Sequence, residues 1–479
     1  MKEESSENGF KPRLDLLDAT MIVAGSMIGS GIFIVSSEIA RNVGGAGYLI
    51  AMWVLAGVVT IIAALSYGEL SAMFPKAGGQ YIYLKEAYNP LVGFLYGWAF
   101  FTVIQTGTIA AVGVAFAKFT SYLIPVVSED NHLIELGGLH ITAAQLTSIG
   151  VIVLLTFLNS KGVKNGVFIQ TFLTMVKLIS LFGLIVFGFI WGADAEVWNA
   201  NWQNAWKLSE LTLTNGEMIQ SAVTGVASLG VIAIAMKGTL FSSDSWHNIT
   251  FIAGEVKNPQ RNIGLSLFLG TVIVTIVYVL TNIMYLAVVP MQEIAFAKSD
   301  RIGVVAAEHI FGAKGTIIIA VMIMISTFGC NNGLILAGAR VYYTMAKDRL
   351  FFAKAGTLNK HQVPEYSLWL QCIWASLLCL TGKYNDLLAL VIFGVLIFYV
   401  LTILGIYILR KKQPDVPRSY KAFGYPILPA VYILVATGLA VLLLIVETSF
   451  TLPGLAIILL GIPVYYLVMN KKQKERVNA

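Results

Sequence analysis

The sequence predicts an all-α integral membrane protein of twelve transmembrane helices. Three observations carry that reading. Hydrophobic residues make up 57% of the 479 positions and charged residues 12%, about half the ~25% charge of soluble domains. Apolar runs recur from Leu14 to Met469, each long enough to cross about 30 Å of hydrocarbon. The runs lack the two-residue alternation of a barrel strand, and backbone in lipid must satisfy its own hydrogen bonds, which leaves the helix. Soluble globular classes, disordered chains and nucleic-acid binders are excluded on the same ground.

Read between polar breaks, segments 1 to 12 cover 15–43, 46–73, 89–123, 141–158, 166–192, 224–253, 263–289, 315–346, 367–381, 386–409, 428–447 and 452–469. Their orientation follows from the basic residues. With the N-terminus in the cytoplasm, inside segments hold 22 of the 32 Lys and Arg residues and outside segments hold 6. The excess of positive charge marks the inner side and places both termini in the cytoplasm, in a multi-pass protein of the cell membrane. The outer loops are acidic or aromatic, as in SEDNHLIE and GADAEVWNANWQNAW. The opening MKEESSENGF has no apolar stretch, so no cleaved signal peptide is expected. Cys330, Cys372 and Cys379 all fall inside apolar runs, which gives no disulfide framework.

Two segments are interrupted. Segment 1 reads AGSMIGSGIFIV, with Gly25, Gly29 and Gly31 around Ser26 and Ser30. Each glycine weakens a helix by about 1 kcal/mol. Segment 6 reads MKGTLFSSDSWHNITF, polar from Ser242 to Asn248. Breaks five segments apart point to an inverted repeat with a site at the midplane, since broken backbone survives at that depth only beside a cavity or inside protein. N–H groups at Ser30 and Gly31 head the outer half-helix and suit a carboxylate. Carbonyls near Ser26 to Ile28 and near Phe241 suit an ammonium group. A zwitterion fits such a pair. Gly25 and Gly29 would also serve close helix packing, but the matching break in segment 6 favours a binding site.

At these residues a family resemblance emerges. GSMIGSGIF at 25–33, LSYGELSAMFPKAGGQYIYLKEAY at 65–88, GEVKNPQRN at 254–262, YVLTNIMYLAVVP at 278–290 and ILRKKQPDVPRSYKAFGYPILP at 408–429 resemble the amino acid–polyamine–organocation superfamily. Within it, the chain is similar to the L-type amino acid transporter branch over nearly its whole length. The resemblance implies a LeuT-type fold, with inverted repeats at 15–192 and 224–410 forming a transport core over 15–410. Around that core lie a cytoplasmic tail at 1–14, a cytoplasmic loop at 411–427, peripheral helices at 428–469 and a C-terminal tail at 470–479. It implies a substrate carboxylate on the Gly29, Ser30 and Gly31 amides and an amine on carbonyls of segments 1 and 6. Phe241 falls where the family carries an aromatic lid. Ser242, Ser243, Asp244 and Ser245 depart from the small residues and glycine usual after it, so Asp244 places a carboxylate near the pocket. Members that pair with a glycoprotein use a cysteine in the loop after segment 3. That loop, about 124–140, has none, so no disulfide-linked subunit is expected.

Lys177 lies too deep in segment 5 for easy snorkelling, and a charge within the membrane is functional by default. The resemblance implies that it reaches the broken first segment, where sodium-coupled relatives bind sodium. Lys237 and Lys118 lie toward outer ends and are expected to snorkel; Glu69 and Arg340 are expected in a cytoplasmic polar cluster. Gln105 and Thr108 on segment 3, with Ser326 and Thr327 on segment 8, are polar positions for lining the pocket. His247 is a further titratable residue beside the second break.

The leading function is secondary transport of L-amino acids, neutral in side chain, by a sodium-independent exchanger or uniporter working by alternating access. A proton-coupled symporter or a carrier of cationic amino acids or polyamines is the alternative. An enzyme is disfavoured by the absence of HExxH, GxSxG, CxxC and P-loop patterns and by only 5 histidines. A channel or sensor is disfavoured by the lack of a soluble relay domain. The expected partners are a small amino acid and membrane lipid, without nucleic acid, metal or cofactor.

Overall fold

The structure, a computed structural model, describes residues 10, 12–136, 139–214, 217–381 and 384–477. Most of the expected N-terminal tail, residues 1–9 and 11, lies outside the described residues, as do the last two of the C-terminal tail. Among the described residues, nine helical stretches are long and apolar enough to cross a membrane. A bent pair, Leu16–Met27 with Gly31–Val43, makes a tenth. Two helices over the expected segments 6 and 9 are shorter, Ala227–Ser242 with 16 residues and Glu365–Thr381 with 17. The chain is a multi-pass helical membrane protein. Among the described residues, the strands form two hairpins, His132–Leu136 with Leu139–Thr142, and Ser209–Thr214 with Glu217–Ala222.

Local chemistry explains the main boundaries. Asp15 caps the first helix by accepting from the Asp18 amide at 2.9 Å, and Asp18 returns the bond at 3.3 Å, a reciprocal cap that satisfies two otherwise orphaned donors. The helix stops at Met27, and Ile28 is extended at φ −76°, ψ 99°. A new helix starts at Gly31, bent 43° from the first. Segment 3 contains a π-helical turn over Phe100–Ile104, between Pro90–Ala99 and Gln105–Thr120. Segment 6 ends its outer helix at Ser242, turns through Ser245 at φ 65°, and resumes as Asn248–Phe251.

Segments 2 and 7 pack along their length, and glycine permits their closest approach. A Cβ added at Gly68 would stand 3.6 Å from the Gly264 Cα. The inner half of segment 1 lies against segments 5, 7 and 8, while its outer half lies against the outer helix of segment 6. The two broken segments thus sit inside a scaffold made by the others.

Ionic contacts tie the loops to this scaffold. Glu69, fully buried on segment 2, accepts from Arg410 at 2.9 and 2.7 Å and from the Ala422 amide at 2.7 Å. Arg418 stands 3.3 Å away. Arg340 pairs instead with Glu255 at 3.0 Å, so the expected single cluster is two. The Glu255 carbonyl also receives the amides of Arg13 and Leu14 at 2.7 and 2.9 Å. At the opposite end Arg41 pairs with Asp300. Lys237 does not snorkel: its side chain is 7% exposed, held between Glu447 at 2.8 Å and Glu38 at 3.3 Å. Two carboxylates within the protein outcompete the interface for its ammonium. Lys118 lies 3.5 Å from Glu129.

Removing Glu69 would take the carboxylate from two guanidinium groups and its bond from the Ala422 amide in the 411–427 loop. Glu69→Ala is expected to destabilise the protein by about 3 kcal/mol, the loss typical of a half-deleted buried pair, read as a lower thermal midpoint in detergent. Arg418→Ala should have a smaller effect, because Arg410 still neutralises Glu69.

Candidate functional site

The break in segment 1 leaves backbone carbonyls without helical partners, and side chains from three other segments meet them. The Lys177 ammonium donates to the Gly25 carbonyl at 2.5 Å and the Ile28 carbonyl at 2.7 Å. The Ser326 hydroxyl lies 3.0 Å from the Gly29 carbonyl and 3.3 Å from that of Ile28. The Cys330 thiol reaches the Ser26 carbonyl at 3.1 Å. Tyr278 shares its hydroxyl between the Met27 carbonyl at 3.1 Å and the Ser242 carbonyl at 3.0 Å. Every carbonyl from Gly25 to Gly29 therefore has a side-chain donor. Tyr278 also joins the two breaks to each other. Gly31 completes that junction, because any Cβ there would run into the Ser242 side chain.

Segment 5 reads as a ladder against the inner half of segment 1. The Thr171 hydroxyl donates to Asp18 at 3.3 Å, the Thr174 hydroxyl to the Met21 carbonyl at 3.2 Å, and Lys177 to Gly25. The rungs fall every three residues, on one helix face. Gly25 is what admits them, since a Cβ there would collide with Thr174 and Gln170. Behind the ladder, Asn332 donates to Gln170 at 3.0 Å and accepts from Asn159 at 2.9 Å.

The second break has its own chemistry. Phe241 and Ser242 close the outer helix, with the Ser242 hydroxyl returned to the Gly238 carbonyl at 3.0 Å. Asp244 accepts from the Ser245 backbone amide and from the Tyr399 hydroxyl, the latter at 2.5 Å, and the Tyr399 oxygen lies 2.6 Å from His247 Nδ1. Ser243, Asp244 and Tyr399 border a small cavity of about 20 Å³ with Thr60, Trp246 and Tyr432, room for one water. Asp244 is thus turned toward segments 2, 10 and 11. Asn248, just beyond the break, is fully buried, and neither atom of its amide has a hydrogen-bond partner among the described residues. The Ser26 hydroxyl is in the same position.

The remaining expected positions divide. Gln105 follows the π-helical turn and donates to the Leu334 carbonyl at 2.7 Å, tying segment 3 to segment 8. Thr108 and Thr327 turn their hydroxyls to their own helices, at Ile104 and Ile323. Ser30 is the first-turn boundary of the outer half-helix and is buried. Sequence reading passed over Tyr278, Tyr399, Cys330, Thr171 and Thr174. Each is a single polar atom in an apolar run; only the three-residue spacing of 171, 174 and 177 carried a signal. Among the described residues, no group of three or more His, Cys, Asp or Glu could hold a metal ion.

Comparison with known proteins places this geometry. The chain is 29% identical to the serine/threonine exchanger SteT of Bacillus subtilis (strain 168), over 98% of this chain and 99% of that protein. It is 28% identical to the human large neutral amino acids transporter small subunit 2, over 98% of this chain and 82% of that protein. It is likewise 28% identical to the mouse Asc-type amino acid transporter 1, over 98% of this chain and 84% of that one. A family model described as amino acid permease matches residues 14–469. Two broken segments joined through Tyr278, with an ammonium on the carbonyls of the first, thus lie in a chain that belongs to the amino acid permease family.

Proposed function

We propose that the protein is a sodium-independent exchanger of neutral L-amino acids, with small polar side chains preferred, working by alternating access in the cell membrane with both termini cytoplasmic. One observation carries the sodium independence: the Lys177 ammonium occupies two carbonyls of the segment 1 break, where a bound cation would otherwise be needed. The near full-length likeness to a serine/threonine exchanger supports the substrate class. The ten long helical stretches, with the short helices Ala227–Ser242 and Glu365–Thr381, support twelve spans. On this reading 15–192 and 224–410 are the inverted repeats and 428–469 is peripheral.

The substrate carboxylate would meet the N–H groups that head the helix at Gly31, where the helix end is positive. Its amine would share carbonyls of the two breaks. In segment 1 the Gly25, Ser26, Met27 and Gly29 carbonyls accept one side-chain bond each and that of Ile28 two, and a carbonyl oxygen with one bond has a second lone pair. The orphaned Ser26 hydroxyl and Asn248 amide offer further polar capacity, since a buried polar group without a partner is costly. Binding that bridges both breaks would favour their moving together, which is what alternating access requires of a central site.

A carrier of cationic amino acids is favoured by one observation, the Asp244 carboxylate beside the second break. Its bond to Tyr399 argues that it is already compensated.

Three outcomes test these readings. In proteoliposomes preloaded with serine, uptake of labelled serine should continue when choline replaces sodium, and a loss beyond about tenfold would overturn the coupling assignment. Lys177→Ala should lower transport about tenfold to a hundredfold, matching about 1.5–3 kcal/mol for lost charged hydrogen bonds, while elution as a monodisperse protein is kept. Asp244→Asn should change the rank order of competition by alanine, serine, leucine, lysine and arginine if the carboxylate meets substrate. A uniform fall with the order intact assigns it to holding the broken helix.

A further inference from the structure

At the basic end of segments 2 and 7 a groove of about 560 Å³ opens on the surface, lined by both helices and by the loop after segment 10. Arg261 stands 17 residues before Tyr278 on the same helix, about 25 Å along its axis. Its two halves differ in chemistry. One end is Gln260 and Arg261, in the first turn of the helix Pro259–Val288. Arg261 is exposed, and its guanidinium has no hydrogen bond or ion pair among the described residues, unlike Arg340, Arg410 and Arg418, which all have acidic partners. The other end is apolar, with Leu65, Leu265 and Phe268. Phe268 stands seven residues past Arg261, about 10 Å along the helix axis.

The wall is fixed in place. The Ser419 hydroxyl donates to the Gln260 carbonyl at 3.2 Å, and the Tyr420 ring lies where a Cβ at Gly68 would meet it at 2.9 Å. Phe423 completes the wall with 68% of its surface exposed. The local charge is positive. Glu69 and Glu255, the neighbouring buried carboxylates, are both bonded to arginines, whereas Lys257 and Lys421 are exposed.

We propose that this groove binds one anionic phospholipid, its phosphate at Arg261 and the Gln260 amide and its first acyl carbons along Leu265 and Phe268. A guanidinium recognises phosphate through paired donors, and a basic pocket between helices at the membrane surface suits a lipid head group. A free phosphate would use only the polar end and leave Phe268 and Phe423 uncovered. The bound lipid bridges the start of segment 7 and the 411–427 loop, the same loop that Glu69 holds from within. The proposal rests on the chain's being embedded in a bilayer and not on amino acid exchange.

The test reads lipid retention, without transport. The full chain in neutral detergent is offered equal phosphatidylglycerol and phosphatidylcholine, and retained lipid is counted by native mass spectrometry. The wild type should keep phosphatidylglycerol preferentially. Arg261→Ala should lose that preference by about tenfold, the size of a lost charged hydrogen bond. Because Arg261 is exposed and unpaired, the lipid-free thermal midpoint should not change. Phe268→Ser should weaken retention of phosphatidylglycerol while Arg261 is intact. Equal retention of both lipids, unchanged retention in Arg261→Ala, or displacement of phosphatidylglycerol by equimolar inorganic phosphate would overturn the proposal. Lost retention with normal serine exchange in Arg261→Ala supports the proposal and leaves the transport reading standing, whereas absent serine exchange by a wild type that keeps its lipid preference would overturn the transport reading alone.

Discussion

Five consecutive backbone carbonyls, from Gly25 to Gly29, sit where segment 1 stops being a helix, at a depth where water cannot serve them freely. An unpaired peptide group in that setting costs several kcal/mol. The surrounding helices are arranged to prevent that cost. Segment 5 contributes Lys177, segment 7 Tyr278, and segment 8 Ser326 and Cys330. Gly25 and Gly29 must lack side chains for these partners to come close, because a Cβ at Gly29 would press on Cys330. The break is therefore a shared property of four segments.

The same constraint gives the site two kinds of attachment. Tyr278 holds both breaks at once, so neither backbone strand can shift without the other losing a donor. The segment 5 ladder bonds to Asp18, Met21 and Gly25 in the inner half of segment 1 and ends on the Ile28 carbonyl at the break. The outer half is packed instead on the outer helix of segment 6, where Gly31 admits Ser242. Inner and outer halves thus have separate sets of bonds to release, with the broken residues as the joint between them. A carrier that opens to one side at a time needs such independence.

Much of this was legible in the sequence because the signals were compositional. Glycines and serines crowded at 25–31, and serines around Asp244, are poor helix material in otherwise apolar runs, so both breaks could be placed within a few residues. Lys177 stood out because charge deep in an apolar run is rare. The partners of the breaks were not legible. A tyrosine such as Tyr278 or Tyr399 is at home in any transmembrane run, and nothing in its neighbours says that its hydroxyl caps a carbonyl or a carboxylate. Lys237 was misread for a related reason: its depth suggested snorkelling, while Glu38 and Glu447 lie 199 positions before it and 210 after it in the chain. The π-helical turn before Gln105 and the two hairpins had no local signature strong enough to read.

The ion triad at Lys237 gives the two faces of the protein different sensitivities to dissolved salt. Glu38 rides on the outer half of segment 1, Lys237 on the outer helix of segment 6, and Glu447 ends segment 11. Their acids keep 22% and 19% of their side-chain surface in contact with the surroundings, within reach of mobile ions whose screening length is about 8 Å at physiological strength. Glu69 and the Arg340–Glu255 pair have 4% or less on the acid side. Concentrated electrolyte therefore screens this clamp more than it screens the bonds of Glu69 and of Glu255 with Arg340.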